Sequence, residues 1–157
     1  KESIFNIINH SKKIKLELKN TKVLDLFSGV GSFGIECLSR GAKYVVFYEN
    51  YNGVLPILKK NLKSLKNLEN FEIIKNDIYS KNALSNLKCK FNIIFLDPPY
   101  KDKNLESLLS KLKSFNIIDH NGIIILHRHK NEKIKLPRNY DIIEERKYGI
   151  SKILFLI

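Results

Sequence analysis

Cysteine is scarce in this sequence, and methionine is absent. The two cysteines, Cys37 and Cys89, are too few for a disulfide framework or a zinc cluster, and their apolar neighbours predict buried thiols rather than metal ligands or nucleophiles. Because the sequence starts at Lys1 and holds no methionine, we expect further residues ahead of it in the complete protein. It also lacks a signal peptide and any apolar run of about 18 residues, which predicts a cytoplasmic protein without a membrane span.

Acidic residues are also in deficit: 16 of them stand against 28 basic residues, which gives a formal net charge of +12. Such an excess favours a polyanionic partner such as nucleic acid, because neutralising phosphates releases counterions. A lysine-rich surface that only keeps the protein in solution would have the same charge, so charge alone leaves both interpretations open. The 157 residues suffice for a core that needs neither disulfides nor a metal, and we expect one domain over residues 1–157.

Short apolar segments alternate with amphipathic ones along the chain. Apolar residues at positions 4, 5, 7, 8 and 14 predict an opening helix. The predicted strands are residues 23–27, 44–48, 71–75, 92–96 and 122–126, and the predicted helices are 32–39, 54–65 and 105–115, with a short turn at 79–86. Strands that alternate with helices indicate right-handed βαβ units and a doubly wound α/β sheet covered on both faces. The last two predicted strands, 140–147 and 150–157, have no helix between them and indicate a closing hairpin around Gly149.

A glycine-rich loop follows the first predicted strand. Gly29, Gly31 and Gly34 match the dinucleotide-binding fingerprint, which by itself is a weak signal. Glu49 follows the second strand, about 20 residues after the first glycine, where a carboxylate accepts hydrogen bonds from ribose hydroxyls. Asp77 follows the third strand and is placed to reach an adenine amino group. These features suit either NAD or S-adenosylmethionine.

Asp25, just ahead of the glycines, helps to separate the two cofactors. A carboxylate there would face the pyrophosphate of NAD unfavourably, but it suits the methionine end of S-adenosylmethionine. The alternative is that Asp25 only organises the loop through backbone N–H groups; together with the other acids we favour the cofactor interpretation. The candidate cofactor-binding residues are Asp25, Phe27, Ser28, Gly29, Gly31, Glu49, Asn50, Asp77 and Ile78.

The most specific motif is Asp97-Pro98-Pro99-Tyr100, which follows the fourth predicted strand. Tandem prolines restrict the backbone and remove two N–H donors, so the carbonyl groups point in set directions. A carboxylate and a rigid carbonyl together accept both hydrogens of an amino group, which frees the nitrogen lone pair for attack on a methyl group. Tyr100 offers a flat face for a base that has left its stack. A simple strand-ending turn is the alternative, but the position beside the glycine loop favours a catalytic role for all four residues.

With these motifs, the chain resembles the RsmD family of bacterial 16S rRNA guanine-N2 methyltransferases over essentially its whole length. The likeness rests on the opening residues KESIFN, the stretch DLFSGVGSFGIECLSRGA at 25–42, the motif at 97–100 and the terminal hairpin around Tyr148 and Gly149. The glycine loop and the 97–100 motif each occur in many methyltransferases. Their combination with the SRGA ending and the opening helix is much more selective.

This resemblance implies a Rossmann-like fold in three layers, with a seven-stranded sheet whose last strand is antiparallel. It implies S-adenosylmethionine as the cofactor and methyl transfer to the N2 amine of a guanine in 16S rRNA, of the guanine-966 type. The implied partner is 16S rRNA or the assembling small ribosomal subunit, and we expect a monomer. The implied cofactor-binding residues are Asp25, Gly29, Gly31, Glu49, Asp77 and Ile78, and the implied catalytic residues are Asp97, Pro98 and Tyr100.

Two departures from the family pattern change these expectations. Family members carry a basic hairpin ahead of the opening helix, which helps to grip rRNA; the sequence does not contain it, so we expect cofactor binding but weak methylation. Where relatives have an acidic residue, this sequence has His127-Arg128-His129, and Arg128 is expected to contact either rRNA or solvent. The two histidines share one face of a strand, but without further ligands no metal site is predicted.

The sequence leaves other functions open. Adenine N6 in DNA or RNA and a glutamine side chain in protein are alternative amine targets. The glutamine enzymes mostly have asparagine in place of Asp97, and a DNA enzyme usually needs an additional recognition region. An NAD-dependent reductase would leave residues 97–100 without a role in hydride transfer. A catalytically idle RNA-binding module would need neither Asp97 nor an intact glycine loop.

Overall fold

Within residues 2–65 and 70–157, which the computed structural model of the protein describes, seven strands form one sheet flanked by four helices. The strands are β1 (Lys22–Leu26), β2 (Tyr44–Tyr48), β3 (Phe71–Ile74), β4 (Phe91–Leu96), β5 (Ile118–His129), β6 (Ile142–Tyr148) and β7 (Ser151–Leu156). The helices are α1 (Glu2–His10), α2 (Ser32–Ser39), α3 (Leu55–Lys63) and α4 (Leu105–Ser114). Lys1, the first residue of the opening motif, lies outside the described residues.

The sheet has the strand order β3-β2-β1-β4-β5-β7-β6. Strands β1 to β5 run parallel to one another, whereas β7 lies antiparallel between β5 and β6. Strands β6 and β7 form the predicted hairpin, and Gly149 in its turn has a φ of 54°, which glycine adopts without a steric penalty. The predicted fold, a doubly wound seven-stranded α/β sheet with an antiparallel last strand, is confirmed.

Alternate residues along the strands fill two hydrophobic cores, one on each face of the sheet. On one face, Val23, Phe47 and Phe95 belong to the core that also contains apolar residues of α1, α2 and α3. On the other face, Leu24 and Leu96 belong to the core formed with α4. Each large apolar side chain contributes about 1.5–3 kcal/mol when it is fully buried. Two covered faces explain why the central strands are nearly continuous apolar runs.

Strand β5 is the element that differs most from its predicted bounds. It runs over Ile118–His129 rather than over residues 122–126. Ile118 pairs with Phe91 of β4, and His129 pairs with Ser151 of β7. These partners are distant in sequence, so backbone pairing extends the strand through polar residues that look like loop in the sequence.

The helices lie close to their predicted positions. Helix α2 occupies the predicted residues, and α3 and α4 are slightly shorter than predicted. Helix α1 ends at His10, so Ile14, which we included in the apolar pattern of the opening helix, is buried in the loop that follows. Among the described residues, no helix is both long enough and apolar enough to cross a membrane.

The two cysteines differ in environment. Cys37 on α2 is completely buried, as predicted. Burial raises the pKa of the Cys37 thiol well above its ordinary value, and the nearby Asp25 carboxylate raises it further, so the thiol stays protonated and is a poor nucleophile. Cys89 is only half-buried, so the prediction of two buried thiols was wrong for this residue, which lies at the edge of the core rather than inside it.

Candidate active site

Four loops meet at the carboxyl edge of the sheet, where the strand order reverses between β1 and β4. Leu26 at the end of β1 pairs with Tyr48 on one side and with Leu96 on the other. Tyr48 in turn pairs with Ile74, and Leu96 pairs with Leu126. The residues that follow these strand ends therefore lie side by side, in the crevice where doubly wound sheets bind ligands.

The loop after β1 turns through left-handed backbone conformations. The φ angle is 58° at Phe27, 55° at Gly29 and 82° at Gly31. The Gly31 N–H donates to the Ser28 carbonyl at 2.8 Å, and the Ser28 N–H donates to the Tyr48 carbonyl at 3.2 Å, which ties the loop to β2. Glycine adopts such angles freely, whereas a phenylalanine does so rarely, so Phe27 marks a constrained position.

The three glycines of the fingerprint have different surroundings. A Cβ on Gly34 would lie 2.4 Å from the Phe47 ring, and a Cβ on Gly31 would lie 2.4 Å from the Leu58 side chain. Gly34 therefore allows α2 to pack closely on β2, and Gly31 allows the loop to approach α3 closely. A Cβ on Gly29 would meet no atom of the described residues within 4 Å. Gly29 therefore borders open space from which a ligand reaches the backbone.

Gly34→Ala and Gly29→Ala are expected to separate packing from ligand binding. Alanine at 34 overpacks the Phe47 ring, so the free energy of unfolding in urea should fall by about 1–3 kcal/mol, with the cofactor affinity of the folded protein unchanged. Alanine at 29 introduces about 1–2 kcal/mol of backbone strain. Its methyl group also enters the open space, so calorimetric cofactor affinity should fall about tenfold, or about 1.4 kcal/mol. Equal affinities in the two variants would contradict these different roles.

Glu49 fastens the glycine loop to the end of β2. Its Oε2 accepts a hydrogen bond from the Gly29 N–H at 2.8 Å, and its Oε1 accepts one from the Tyr51 N–H at 2.8 Å. The residue is almost completely buried. Each carboxylate oxygen has further lone pairs, so contacts with ribose hydroxyls are compatible with these bonds. The ribose role of Glu49 stays a prediction.

Asp25 lies at the bottom of the crevice and is 1% exposed. Its Oδ2 accepts a hydrogen bond from the Gly34 N–H at 2.9 Å, in the first turn of α2. A carboxylate at this end of a helix satisfies an otherwise unpaired N–H and interacts favourably with the helix dipole. This contact corresponds to the loop-organising role that we weighed as the alternative for Asp25. A direct contact with the cofactor stays a prediction.

Tyr79 and Asp102, which we did not predict as site residues, connect the two halves of the crevice. The Tyr79 hydroxyl donates to Asp102 Oδ2 at 2.5 Å, and the Tyr79 N–H donates to Asp77 Oδ1 at 2.9 Å. The Asp102 N–H donates to the Pro99 carbonyl at 2.9 Å. Burial raises the pKa of Tyr79 far above its ordinary value, and the hydrogen bond to the Asp102 carboxylate raises it further. The hydroxyl therefore stays protonated and remains a donor.

A cavity of about 200 Å³ lies between these loops. It is lined by Phe27, Tyr48, Glu49, Asn50, Asn76, Asp77, Ile78, Tyr79, Pro99 and Asp102. Of the predicted cofactor-binding residues, the lining includes Phe27, Glu49, Asn50, Asp77 and Ile78 but not Asp25, Ser28, Gly29 or Gly31. Aromatic and apolar faces next to carboxylates suit a base and a ribose. Because whole-ligand pockets are typically about 300–1,000 Å³, this cavity suits only the adenosine end of a cofactor.

The glycine loop beside the cavity contains an unsatisfied polar atom. The Ser28 hydroxyl is buried and has no hydrogen-bond partner in the part of the chain that the structure describes. A buried hydroxyl without a partner costs about 1–3 kcal/mol, which a polar group of a ligand would offset. Together with the open space at Gly29, it fits a ligand that extends from the cavity across the loop. S-adenosylmethionine has this extended shape and polarity.

A larger cavity, of about 460 Å³, borders the opposite end of β5. Lys13, Lys113 and His120 are among its lining residues, and none of the predicted site residues is. Three other grooves, of about 620, 630 and 710 Å³, are larger still, so size alone would favour any of these over the cavity of about 200 Å³. We assign the ligand site to the smaller one because carboxylates, aromatic rings and an unsatisfied hydroxyl converge there at the switch point of the sheet.

Asp97 follows β4 and stands at the edge of the crevice, with 44% of its side chain exposed. Its Oδ1 lies 2.8 Å from Nδ1 of His127, which lies on the neighbouring strand β5. An ionised carboxylate accepts hydrogen bonds only, so this contact places a proton on Nδ1 of the imidazole. In the described residues Asp97 Oδ2 makes no hydrogen bond, which leaves it available to an amino group.

Arg128 has a role that the sequence did not suggest. We expected it to contact rRNA or solvent, and both alternatives were wrong, because the residue is 1% exposed. Its guanidinium donates to the carbonyl oxygens of Pro98 and Pro99, each at 2.9 Å, and of Tyr100 at 3.3 Å, and it pairs with Glu132. The Pro98 carbonyl has a second lone pair, so the predicted contact with a substrate amine stays a prediction.

Tyr100 completes the motif and is 61% exposed. Its ring stands edge-to-face against His129, with ring centroids 6.2 Å apart. Both residues border an open groove together with Lys101 and Lys103. An exposed aromatic face next to lysines suits an unstacked nucleic-acid base and its phosphates. In residues 2–65 and 70–157, no group of three or more potential metal ligands occurs, although His127 contacts one such residue, Asp97.

Comparisons with known proteins agree with this geometry. The family model described as conserved hypothetical protein 95 matches residues 1–157. The protein named "Putative rRNA methyltransferase YlbH" of Bacillus subtilis is 32% identical over 157 residues, which cover 98% of this chain and 81% of that protein. Ribosomal RNA small subunit methyltransferase D of Haemophilus influenzae is 34% identical over 134 residues, which cover 85% of this chain and 69% of that protein.

A solved structure has the same fold. The conserved hypothetical protein of Streptococcus pyogenes superposes with a TM-score of 0.83 at 27% sequence identity, and the match covers 98% of this chain and 92% of that chain. The similarity therefore extends over the whole sheet and is not confined to the glycine loop.

Proposed function

The chain belongs to the family described as conserved hypothetical protein 95, the RsmD family, and on this basis we propose that it methylates the N2 amine of a guanine in 16S rRNA, of the guanine-966 type. The cofactor is S-adenosylmethionine. The observation that carries the proposal is the position of Asp97. Its half-exposed carboxylate follows β4 at the switch point, beside the glycine loop, with one oxygen available to an amine.

In the proposed reaction, the Asp97 carboxylate is the group that interacts with the substrate amine. Bound S-adenosylmethionine supplies a methyl group that its sulfonium already activates. Oδ2 of Asp97 accepts a hydrogen bond from the amine, which draws the nitrogen lone pair out of conjugation with the ring. The carboxylate stabilises the positive charge that grows on the nitrogen and accepts the proton that the nitrogen loses. His127 holds Oδ1 of the same carboxylate. Holding the amine nitrogen and the methyl group in line lowers a barrier of this kind by up to about 7–11 kcal/mol.

RNA as the substrate is supported by charge, by the groove at Tyr100 and by the names of the relatives. The net charge of +12 favours a polyanion, and Lys101 and Lys103 lie beside the exposed ring. Two relatives are named as rRNA methyltransferases, one of them for the small subunit. We propose 16S rRNA, free or in the assembling subunit, as the partner of a cytoplasmic monomer that uses no metal and binds no membrane.

Methylation of 16S rRNA followed by nucleoside analysis tests the proposed function. After incubation of unmethylated 16S rRNA, free or in assembling subunits, with the chain and labelled S-adenosylmethionine, the label should appear as N2-methylguanosine. Single-turnover conditions with excess protein are appropriate because they report the transfer step without product release. N6-methyladenosine would favour the adenine alternative, and binding of RNA without label would favour an idle RNA-binding module.

The matching control separates cofactor binding from RNA methylation. Calorimetric titration with S-adenosylhomocysteine should show saturable binding, and titration with NAD should show none. Binding of NAD would contradict the assignment of the 200 Å³ cavity to the adenosine end of S-adenosylmethionine. Binding of S-adenosylhomocysteine without RNA methylation would mean that the cofactor is right and that only the proposed substrate is wrong.

A further inference from the structure

Arg128 lies at the centre of a set of hydrogen bonds to the 97–100 motif. The two terminal nitrogens of its guanidinium contact three successive carbonyl oxygens, those of Pro98, Pro99 and Tyr100. The same guanidinium pairs with Glu132, four residues later. The residue is 1% exposed. Its contact with the Pro98 carbonyl is buried, and those with Pro99, Tyr100 and Glu132 are partly buried.

The motif needs such a partner because of its two prolines. Pro98 and Pro99 have no N–H group, so this stretch cannot form the usual hydrogen bonds of a strand or turn. The Pro99 carbonyl accepts a further hydrogen bond from the Asp102 N–H, whereas the carbonyls of Pro98 and Tyr100 have Arg128 as their donor in the described residues. The guanidinium has five donors in a rigid planar fork, whereas an ammonium is a single point charge on a flexible stem. Arginine is therefore the side chain that can hold all three carbonyls at once.

Stability alone is a poor explanation for Arg128. A buried charge is costly unless every hydrogen bond is made, and apolar residues of similar volume often stabilise a protein as well or better. The Nε of Arg128 has no hydrogen-bond partner among the described residues, so its burial is incompletely compensated. Its contacts are instead with the carbonyls of the segment that carries Asp97 and Tyr100.

We propose that Arg128 is a positioning residue that fixes the backbone of the 97–100 motif and so sets the orientation of Asp97 and Tyr100 toward the substrate amine. The inference rests on the proposed methyl transfer and names a residue that acts through that motif. Displacing a catalytic group by about 1 Å can lower a rate about 10²-fold. Loss of the three carbonyl contacts should therefore appear in catalysis rather than in cofactor binding.

Arg128→Lys tests the proposal, because it keeps the charge and removes the fork. We expect kcat for methyl transfer to fall about 10²-fold, with the KM for S-adenosylmethionine nearly unchanged. Hydrogen–deuterium exchange at the amides of Tyr100, Lys101 and Asp102 should become faster, since one of these amides donates to the Pro99 carbonyl that Arg128 also holds. Unchanged kcat and unchanged exchange, or a loss confined to cofactor affinity, would overturn the proposal.

Arg40→Lys is the matched control. Arg40 also forms an arginine–glutamate pair four residues apart, with Glu36 at 2.6 Å, but it lies on the surface at the end of α2. Its replacement should leave kcat and the exchange of residues 100–102 unchanged. If Arg128→Lys fails to fold, Glu132→Gln provides a second test. It keeps the shape but removes the charge that holds the guanidinium, so kcat should fall by a smaller factor and the same amides should exchange faster.

The exchange measurement also separates this inference from the proposed function. If the unaltered chain transfers no methyl group to RNA, the proposed function is wrong, whereas faster exchange at the Asp102 amide in Arg128→Lys still supports the positioning role. If the unaltered chain is active and both readouts of Arg128→Lys match it, the positioning role is wrong and the proposed function stands.

Discussion

Asp97→Ala is expected to lower kcat for methyl transfer about 10²–10³-fold, while the affinity for S-adenosylhomocysteine stays nearly unchanged. The variant loses the acceptor for the amine hydrogen and the charge that stabilises the developing cation. Asp97 is absent from the lining of the 200 Å³ cavity, so the cofactor contacts should survive. Single-turnover rates at saturating RNA, with calorimetry in parallel, measure the two effects separately.

The side chain of Asp97 is half-exposed, so its removal should cause little loss of stability. Asp97→Asn retains one acceptor oxygen but loses the charge, and its rate should lie between those of the alanine variant and the unaltered chain. Asp119→Ala is a suitable control, because Asp119 accepts a hydrogen bond from Asn92 near the opposite end of β5 and should not affect kcat. A rate for Asp97→Ala that equals that of Asp119→Ala would remove Asp97 from the mechanism.

Much of the sheet could be predicted because its central strands are buried on both faces. Residues 44–48 are a continuous apolar run, and their predicted bounds are those of β2. Strand β5 shows where such prediction fails. His129 pairs with Ser151, and this pairing depends on the β7 strand more than on the polarity of His129 itself.

The acidic residues of the crevice could be predicted for a different reason. Glu49, Asp77 and Asp97 each follow a strand, and the carboxyl ends of parallel strands share one edge of the sheet. Once the alternation of strands and helices is recognised, proximity of these residues follows from topology alone. The orientation of each carboxylate does not, as the contact of Asp25 with the Gly34 N–H illustrates.

Contacts between loops that are distant in sequence could not be predicted. Arg128 looks like a surface residue because histidines flank it, yet the register of β4 and β5 places it beside the carbonyls of Pro98 and Pro99. The available signal is that a proline pair removes two N–H donors from this stretch, so the carbonyls beside it draw part of their hydrogen bonds from a neighbouring strand. For Tyr79 and Asp102 the sequence signal is weaker. Tyr79 lies two residues after Asp77 and Asp102 two residues after Tyr100, both of which are predicted site residues.

Glu49→Ala is expected to weaken binding of S-adenosylhomocysteine about a hundredfold, or about 2.7 kcal/mol. Hydrogen bonds to a charged group contribute about 1.5–3 kcal/mol each, and the predicted ribose contacts to this carboxylate would be lost. The variant also leaves the N–H groups of Gly29 and Tyr51 without the acceptor that now holds the glycine loop. Calorimetry at a temperature where the protein is fully folded measures the affinity.

Two controls distinguish the ribose role of Glu49 from its loop contacts. Glu36→Ala removes an exposed glutamate that pairs with Arg40, and it should leave affinity unchanged. Titration of Glu49→Ala with adenosine and with 2′,3′-dideoxyadenosine gives the second comparison. If Glu49 binds the ribose hydroxyls, the unaltered chain should prefer adenosine and the variant should bind both nucleosides equally. If the variant keeps the preference, the carboxylate only holds the loop through Gly29, and the ribose must be bound by another residue of the cavity.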